Sequence, residues 1–178
     1  MIHILKKLPL SLALIIAMLL GFQVAQSQDA SDYAIHANIV YRFTKYVNWP
    51  DAMKSGDFVI GFVGDSPLYD HLKAFTANKT AGDQKIVLKK FPSSGSSFAC
   101  HILFVSDDES DQIKKIVSKT AGTPTLLVTE SDGLAKKGSC INFVIIQDRL
   151  KIEINKENIE QRKLGIATEL LSLGRLVK

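Results

Sequence analysis

The residues of this chain that could perform chemistry do not converge on one reaction. Beyond residue 27 three histidines remain, His36, His71 and His101. No two of them have the spacing of a metal pair, and no serine or cysteine sits in a nucleophile motif. His36 and His71 fall on expected helices. His101 falls inside an apolar strand and is read as a hydrogen-bonded core residue. Gly61-Phe62-Val63-Gly64-Asp65 lacks the Lys-Ser/Thr ending of a phosphate loop and the full glycine pattern of a dinucleotide fingerprint. The pattern therefore points to no enzyme, no metal and no cofactor.

Three further groups of residues remain to be placed. Asp65 follows one expected strand, Asp107 and Asp108 follow another, and Thr129 ends a third. In a doubly wound sheet such strand ends line the ligand crevice, so a small-ligand-binding sensor domain is the alternative function. The same placement imitates a phosphoacceptor receiver domain. An exported chain meets no phosphodonor, however, and strand-end aspartates are ordinary helix caps. Asn142, Glu153 and Asn155 lie in or at the ends of otherwise apolar strands. Burying such groups unpaired is costly, so their partners lie in the fold, in a ligand or in a docking protein. Cys100 and Cys140 are the only cysteines. An even count in an exported chain permits one disulfide, though both start expected strands and spacing alone does not pair them.

The elements that position these residues follow from hydrophobic patterning. Cys100–Ser106 is a short, nearly unbroken apolar run between Pro92-Ser93-Ser94-Gly95-Ser96-Ser97 and Asp107-Asp108-Glu109-Ser110. It reads as a strand covered on both faces, at the middle of a parallel sheet. Before it come a helix over 33–49, closed by Pro50, a strand over 58–64, a helix to about Ala77, and an edge strand over 85–91. The single tryptophan, Trp49, is read as a plug between the first helix and the sheet, with a surface anchor as the other option. After the central run come a helix over 110–120 and a strand over 124–129. Strands over 140–146 and 150–154 then form a hairpin around Gln147-Asp148-Arg149. Residues 156–177 are apolar on so many sides that a long, doubly covered helix is expected. The expected fold class is α/β, a mostly parallel sheet of about five or six strands with helices on both faces.

Residues 1–27 read as a signal peptide. Lys6-Lys7 is its basic region, Leu8–Leu20 its apolar core, and Ala25-Gln26-Ser27 its small-residue cleavage site. That core is short for a membrane span. Export to the periplasm and cleavage after about Ser27 leave residues 28–178, enough for a single domain with a full core. Removing the leader takes away two lysines and no acid, so the formal charge falls from +4 to +2. The remaining lysines are scattered and form no basic block, so nucleic acid is not an expected partner.

Several stretches together resemble the YfiR/HmsC-like family, also called DUF4154. They are Tyr33-Ala34-Ile35 through Tyr41-x-Phe43-x-Lys45-Tyr46-Val47-x-Trp49-Pro50, Cys100-His101-Ile102-Leu103-Phe104-Val105, Gly138-x-x-Ile141-Asn142-Phe143, and Glu153-Ile154-Asn155 followed by Leu170-Leu171. The resemblance implies a non-enzymatic periplasmic regulator. Such a protein docks on the sensor region of an inner-membrane diguanylate cyclase and controls cyclic di-GMP and biofilm output. An outer-membrane lipoprotein can relieve the repression, and related modules serve histidine kinases. Homodimers are a further possibility. Gly61 stands where the family often has a cysteine to pair with the one at position 100. The docking residues expected on this basis are Trp49, Asn142, Glu153 and Asn155.

Overall fold

The computed structural model describes residues 33–147 and 149–178; the expected signal peptide lies outside them. Residues 33–46 form helix α1, which buries Ala37, Val40 and Phe43 at helical spacing. The helix stops three residues earlier than expected because the chain leaves it as an extended pair, β1 (Val47–Asn48). β2 (Phe58–Val63), α2 (Leu68–Thr76), β3 (Thr80–Ala81) and β4 (Gln84–Phe91) follow. Next come β5 (Ile102–Val105), a 3-10 turn at Asp107–Gln112 leading into α3 (Ile113–Lys119), and β6 (Leu126–Thr129). The hairpin is β7 (Ile141–Ile146) and β8 (Arg149–Ile154). The tail holds α4 (Lys156–Gln161), β9 (Gly165–Ile166), α5 (Thr168–Leu171) and β10 (Arg175–Leu176).

The main sheet has the order β10-β8-β7-β6-β5-β2-β4-β3. The run β4-β2-β5-β6-β7 is parallel, and β8 returns antiparallel to β7. These are the six strands expected from the sequence; the two-residue strands β3 and β10 extend the sheet to eight. β4 therefore lies one place in from the edge. All four residues of β5 are buried between β2 and β6, as an unbroken apolar run demands.

The chain turns one way from β2 to β4 and the other way from β5 to β6. With right-handed crossovers this puts α2 and α3 on opposite faces. α1 lies with α2: the Tyr33 and His71 rings are 6.2 Å apart, and Tyr41 meets Phe75 edge-on at 5.7 Å. On the other face Arg162, at the end of α4, donates from Nη1 to the Thr120 carbonyl after α3 at 2.8 Å.

The long terminal helix expected over 156–177 is not formed. α4 ends in a hydrogen-bonded stop, with Lys163 N donating to Glu160 O and Leu164 N to Ile159 O. Lys163 takes the left-handed conformation, φ +58°, that this stop requires. β9 then pairs antiparallel with β1, and Ala167 N donates to Tyr46 O at 2.8 Å. The tail's apolar residues divide between the core (Leu164, Leu170) and the surface (Leu173, Leu176).

Candidate functional site

Trp49 is a core residue. It is 5% exposed, meets Phe58 edge-on at 5.0 Å, and donates Nε1–H to the His101 carbonyl at 3.2 Å. With Phe58 and the His101 ring against it, the indole is the plug and not a surface anchor. His101 is held on both nitrogens. Val59 N–H donates to Nδ1 at 3.0 Å, and Nε2 lies 2.8 Å from the Met53 carbonyl. Only a protonated Nε2 can bond a carbonyl, so the ring is neutral. Burial holds its pKa below the usual histidine value.

Asn142, Glu153 and Asn155 are also buried, and their partners lie in the fold. Asn142 and Glu153 face each other across the hairpin. The Thr129 hydroxyl donates to Asn142 Oδ1 at 2.7 Å and lies 3.0 Å from Ser139 Oγ. Asn142 Nδ2 donates to Glu153 Oε2 at 3.2 Å. Glu153 Oε1 accepts from Arg175, which closes the line at β10. Asn155 caps α4, accepting from Asn158 N at 3.1 Å and donating to Ala135 O at 3.0 Å. These residues tie β6, β7, β8 and β10 into one register, and the polar groups that the sequence left open find their partners within the fold.

Cys100 and Cys140 are both free and buried. β6 separates the strands they lead into, and two strand spacings of about 4.8 Å exceed the reach of a disulfide. Burial pushes the Cys100 thiol up to about 12 and Cys140 upward as well. Neither is a thiolate near neutral pH, so neither is a nucleophile.

The strand ends are arranged as the doubly wound reading requires. The chain reverses direction between β2 and β5, and the crevice there is filled from within. Ser106 Oγ donates to Val63 O at 2.9 Å and is also bonded to the Asp108 carboxylate, whose other oxygen accepts from Asp65 N at 3.3 Å. The Ser106 bond holds the Asp108 pKa below its ordinary value. Beside this plug lies an open cleft of about 660 Å³, whose walls include Tyr33, Phe143, Leu150, Asp107, Glu130 and Asp132. Among the described residues no group of three histidine, cysteine or acidic side chains could hold a metal.

Glu130, just past β6, was not anticipated. Burial is the main cause that pushes its carboxyl up to about 7, with Asp107 and Asp108 adding repulsion. A folded-state value above the unfolded 4.5 favours folding fully below that value and loses the benefit as pH rises through about 7. Glu130→Gln is therefore expected to gain stability relative to wild type across that interval. The gain should reach on the order of 2–3 kcal/mol by pH 8, read from urea midpoints measured at pH 4.5 and pH 8. Parallel curves for the two proteins would refute the assignment.

Exposed apolar side chains collect around the hairpin tip, the tail and α1. Ile145 (61% exposed) and Ile146 (36%) sit at the hairpin tip, with Leu173 (48%) and Leu176 (58%) on the tail and Ile35 (48%) on α1. The sequence carried a signal for the tip, two consecutive isoleucines directly before the turn, which strict alternation would have made one polar. No helix among the described residues is long and apolar enough to cross a membrane. A family model described as YfiR/HmsC-like matches residues 33–175. No curated protein matches the chain.

Proposed function

Because the chain belongs to the YfiR/HmsC-like family over residues 33–175, which implies a regulator of that kind, we propose that it acts in the periplasm by docking, without catalysis. Its partner is the sensor region of an inner-membrane signalling protein, a diguanylate cyclase or a histidine kinase. The output is cyclic di-GMP and biofilm formation. An outer-membrane lipoprotein competing for the same face would release the partner.

The observation that supports this most is the exposed apolar set at the hairpin tip and tail. Exposed apolar side chains at the hairpin tip, on the tail and on α1 suit recognition. The mechanism is population shift: docking favours one state of the partner only by as much as it prefers that state. The test is binding of the purified sensor region to wild type and to an Ile145→Asp, Leu173→Asp double variant. Affinity should fall about 30-fold or more while the melting curve stays close to wild type, because both side chains are already solvated. Unchanged affinity would remove this face from the interaction.

The open cleft beside Glu130 favours a second reading, a small-ligand sensor. A ligand seated there would displace the pH dependence of stability that Glu130 imposes.

A further inference from the structure

The walls of the cleft beside Glu130 determine what it can receive; this inference rests on the small-ligand reading above and names the class of ligand. The cleft holds about 660 Å³, inside the range of about 300–1,000 Å³ usual for small-molecule sites. The loops after β5 and β6 bring Asp107, Glu130 and Asp132 to it, while α1, β7 and β8 bring Tyr33, Phe143 and Leu150. The carboxyl ends of parallel strands are where open α/β sheets take their ligands.

The charge on the lining has one sign. No lysine or arginine lines the cleft. Among the described residues none of Asp107, Asp108, Glu130 and Asp132 enters an ion pair with one. Asp107 accepts from the Ser131 hydroxyl, a neutral partner that leaves its charge in place. Repulsion from Asp107 and Asp108 adds to the raised pKa of Glu130, and a cation seated among these groups would relieve it. His36, the one basic side chain of the described lining, is 7% exposed and packs edge-on against Phe143 at 4.6 Å, as part of the aromatic wall. The apolar walls decide the rest. A bare metal ion would leave them wet, and among the described residues no three acids are placed to hold one. A neutral apolar molecule would leave the carboxylates without a counterion, and an anion would be repelled. A cationic group on an apolar body satisfies both parts of the lining, and ammonium groups also sit favourably against aromatic rings.

We propose that this cleft binds a small organic cation, its ammonium group held among Asp107, Glu130 and Asp132 and its apolar body laid against Tyr33, Phe143 and Leu150. A lysine side chain of another protein carries the same ammonium chemistry. A free amine fits better, because the thin butyl stem of lysine covers little of a wall built from two aromatic rings and a leucine.

Four probes test this: phenethylamine, 3-phenylpropionate, methylammonium and Nα-acetyl-lysine amide. Each is titrated into the isotope-labelled protein at about pH 8, where Glu130 is ionised. Phenethylamine should shift the amide signals of Glu130, Asp132 and Phe143, and each of the other three should bind at least about tenfold more weakly. A Glu130→Gln, Asp132→Asn double variant should lose about tenfold in phenethylamine affinity, with a urea midpoint no lower than wild type because Asp132 is exposed. The ranking of the probes on wild type holds whatever the stability of the variant. Methylammonium or the lysine amide binding as tightly as phenethylamine would overturn the proposal, as would shifts confined to other residues or a folded double variant with wild-type affinity. If 3-phenylpropionate is the tighter ligand at these residues, the ligand class is wrong and the small-ligand reading stands. If no probe shifts them, the proposal and the small-ligand reading both fall, and the docking reading is untouched.

Discussion

Replacing Glu153 by lysine is expected to lower folding stability by about 3 kcal/mol, seen as a lower urea midpoint at unchanged slope. The carboxylate side chain is 10% exposed. One oxygen accepts from Asn142 and the other from Arg175. The Arg175 side chain is 62% exposed, so that half of the arrangement is well solvated and contributes little. The larger loss is on the Asn142 side. An ammonium group there sets donor against donor, strands a buried amide, and disturbs the line that continues to Thr129 and Ser139. Glu153→Gln keeps shape and one acceptor, and should cost only about 1 kcal/mol. A lysine variant with the wild-type midpoint would show that this line does not hold the hairpin. The distinction matters for any binding study, since loss of a partner by Glu153→Lys would report unfolding before it reported docking.

Gly64→Ala is expected to cost a similar amount, about 3 kcal/mol, for a different reason. Gly64 has φ +83°, and a Cβ there would collide with Ser106 Oγ and the Asp108 carboxylate. The left-handed backbone alone accounts for about 1–2 kcal/mol. The rest comes from forcing apart the hydroxyl and carboxylate that fill the crevice between β2 and β5. Gly122→Ala separates the two effects. Gly122 has φ +73° with open space around it, so only the backbone part applies. Equal losses in the two variants would mean that the plug yields freely.

The centre of the fold was legible because its signals are local. Four consecutive apolar residues with turns on both sides can be little other than a buried strand, and Ile102–Val105 is one. The hairpin was legible for the same reason, as two apolar runs joined at Gln147-Asp148-Arg149, although β8 already begins at Arg149. The tail was not. Leu164, Ile166, Leu170 and Leu173 fall at near-helical spacing, and nothing local shows that Lys163 adopts φ +58°. What decides its course is the pairing of Val47 with Ile166, a contact between the two ends of the sequence. Asn142, Glu153 and Asn155 read as polar groups that need partners, and Trp49 as a plug, but sequence cannot say where the partners lie. The fold supplied them from Thr129, Ser139, Arg175 and the backbone of 101 and 135. Glu130 escaped notice because one acid after a strand is unremarkable until burial is known.

The clasp of β1 with β9 has a bearing on how the chain reaches this state. Its two halves, Val47–Asn48 and Gly165–Ile166, lie far apart in the chain. Until residue 166 is available, the end of α1 has nothing to pair with. The β8 edge likewise waits for Arg175. Contacts this distant in sequence form slowly, so the end of α1 and the edge of β8 are expected to settle after the central strands. If the chain is exported unfolded, as proposed above, such a delay would keep it ready for passage through a narrow channel.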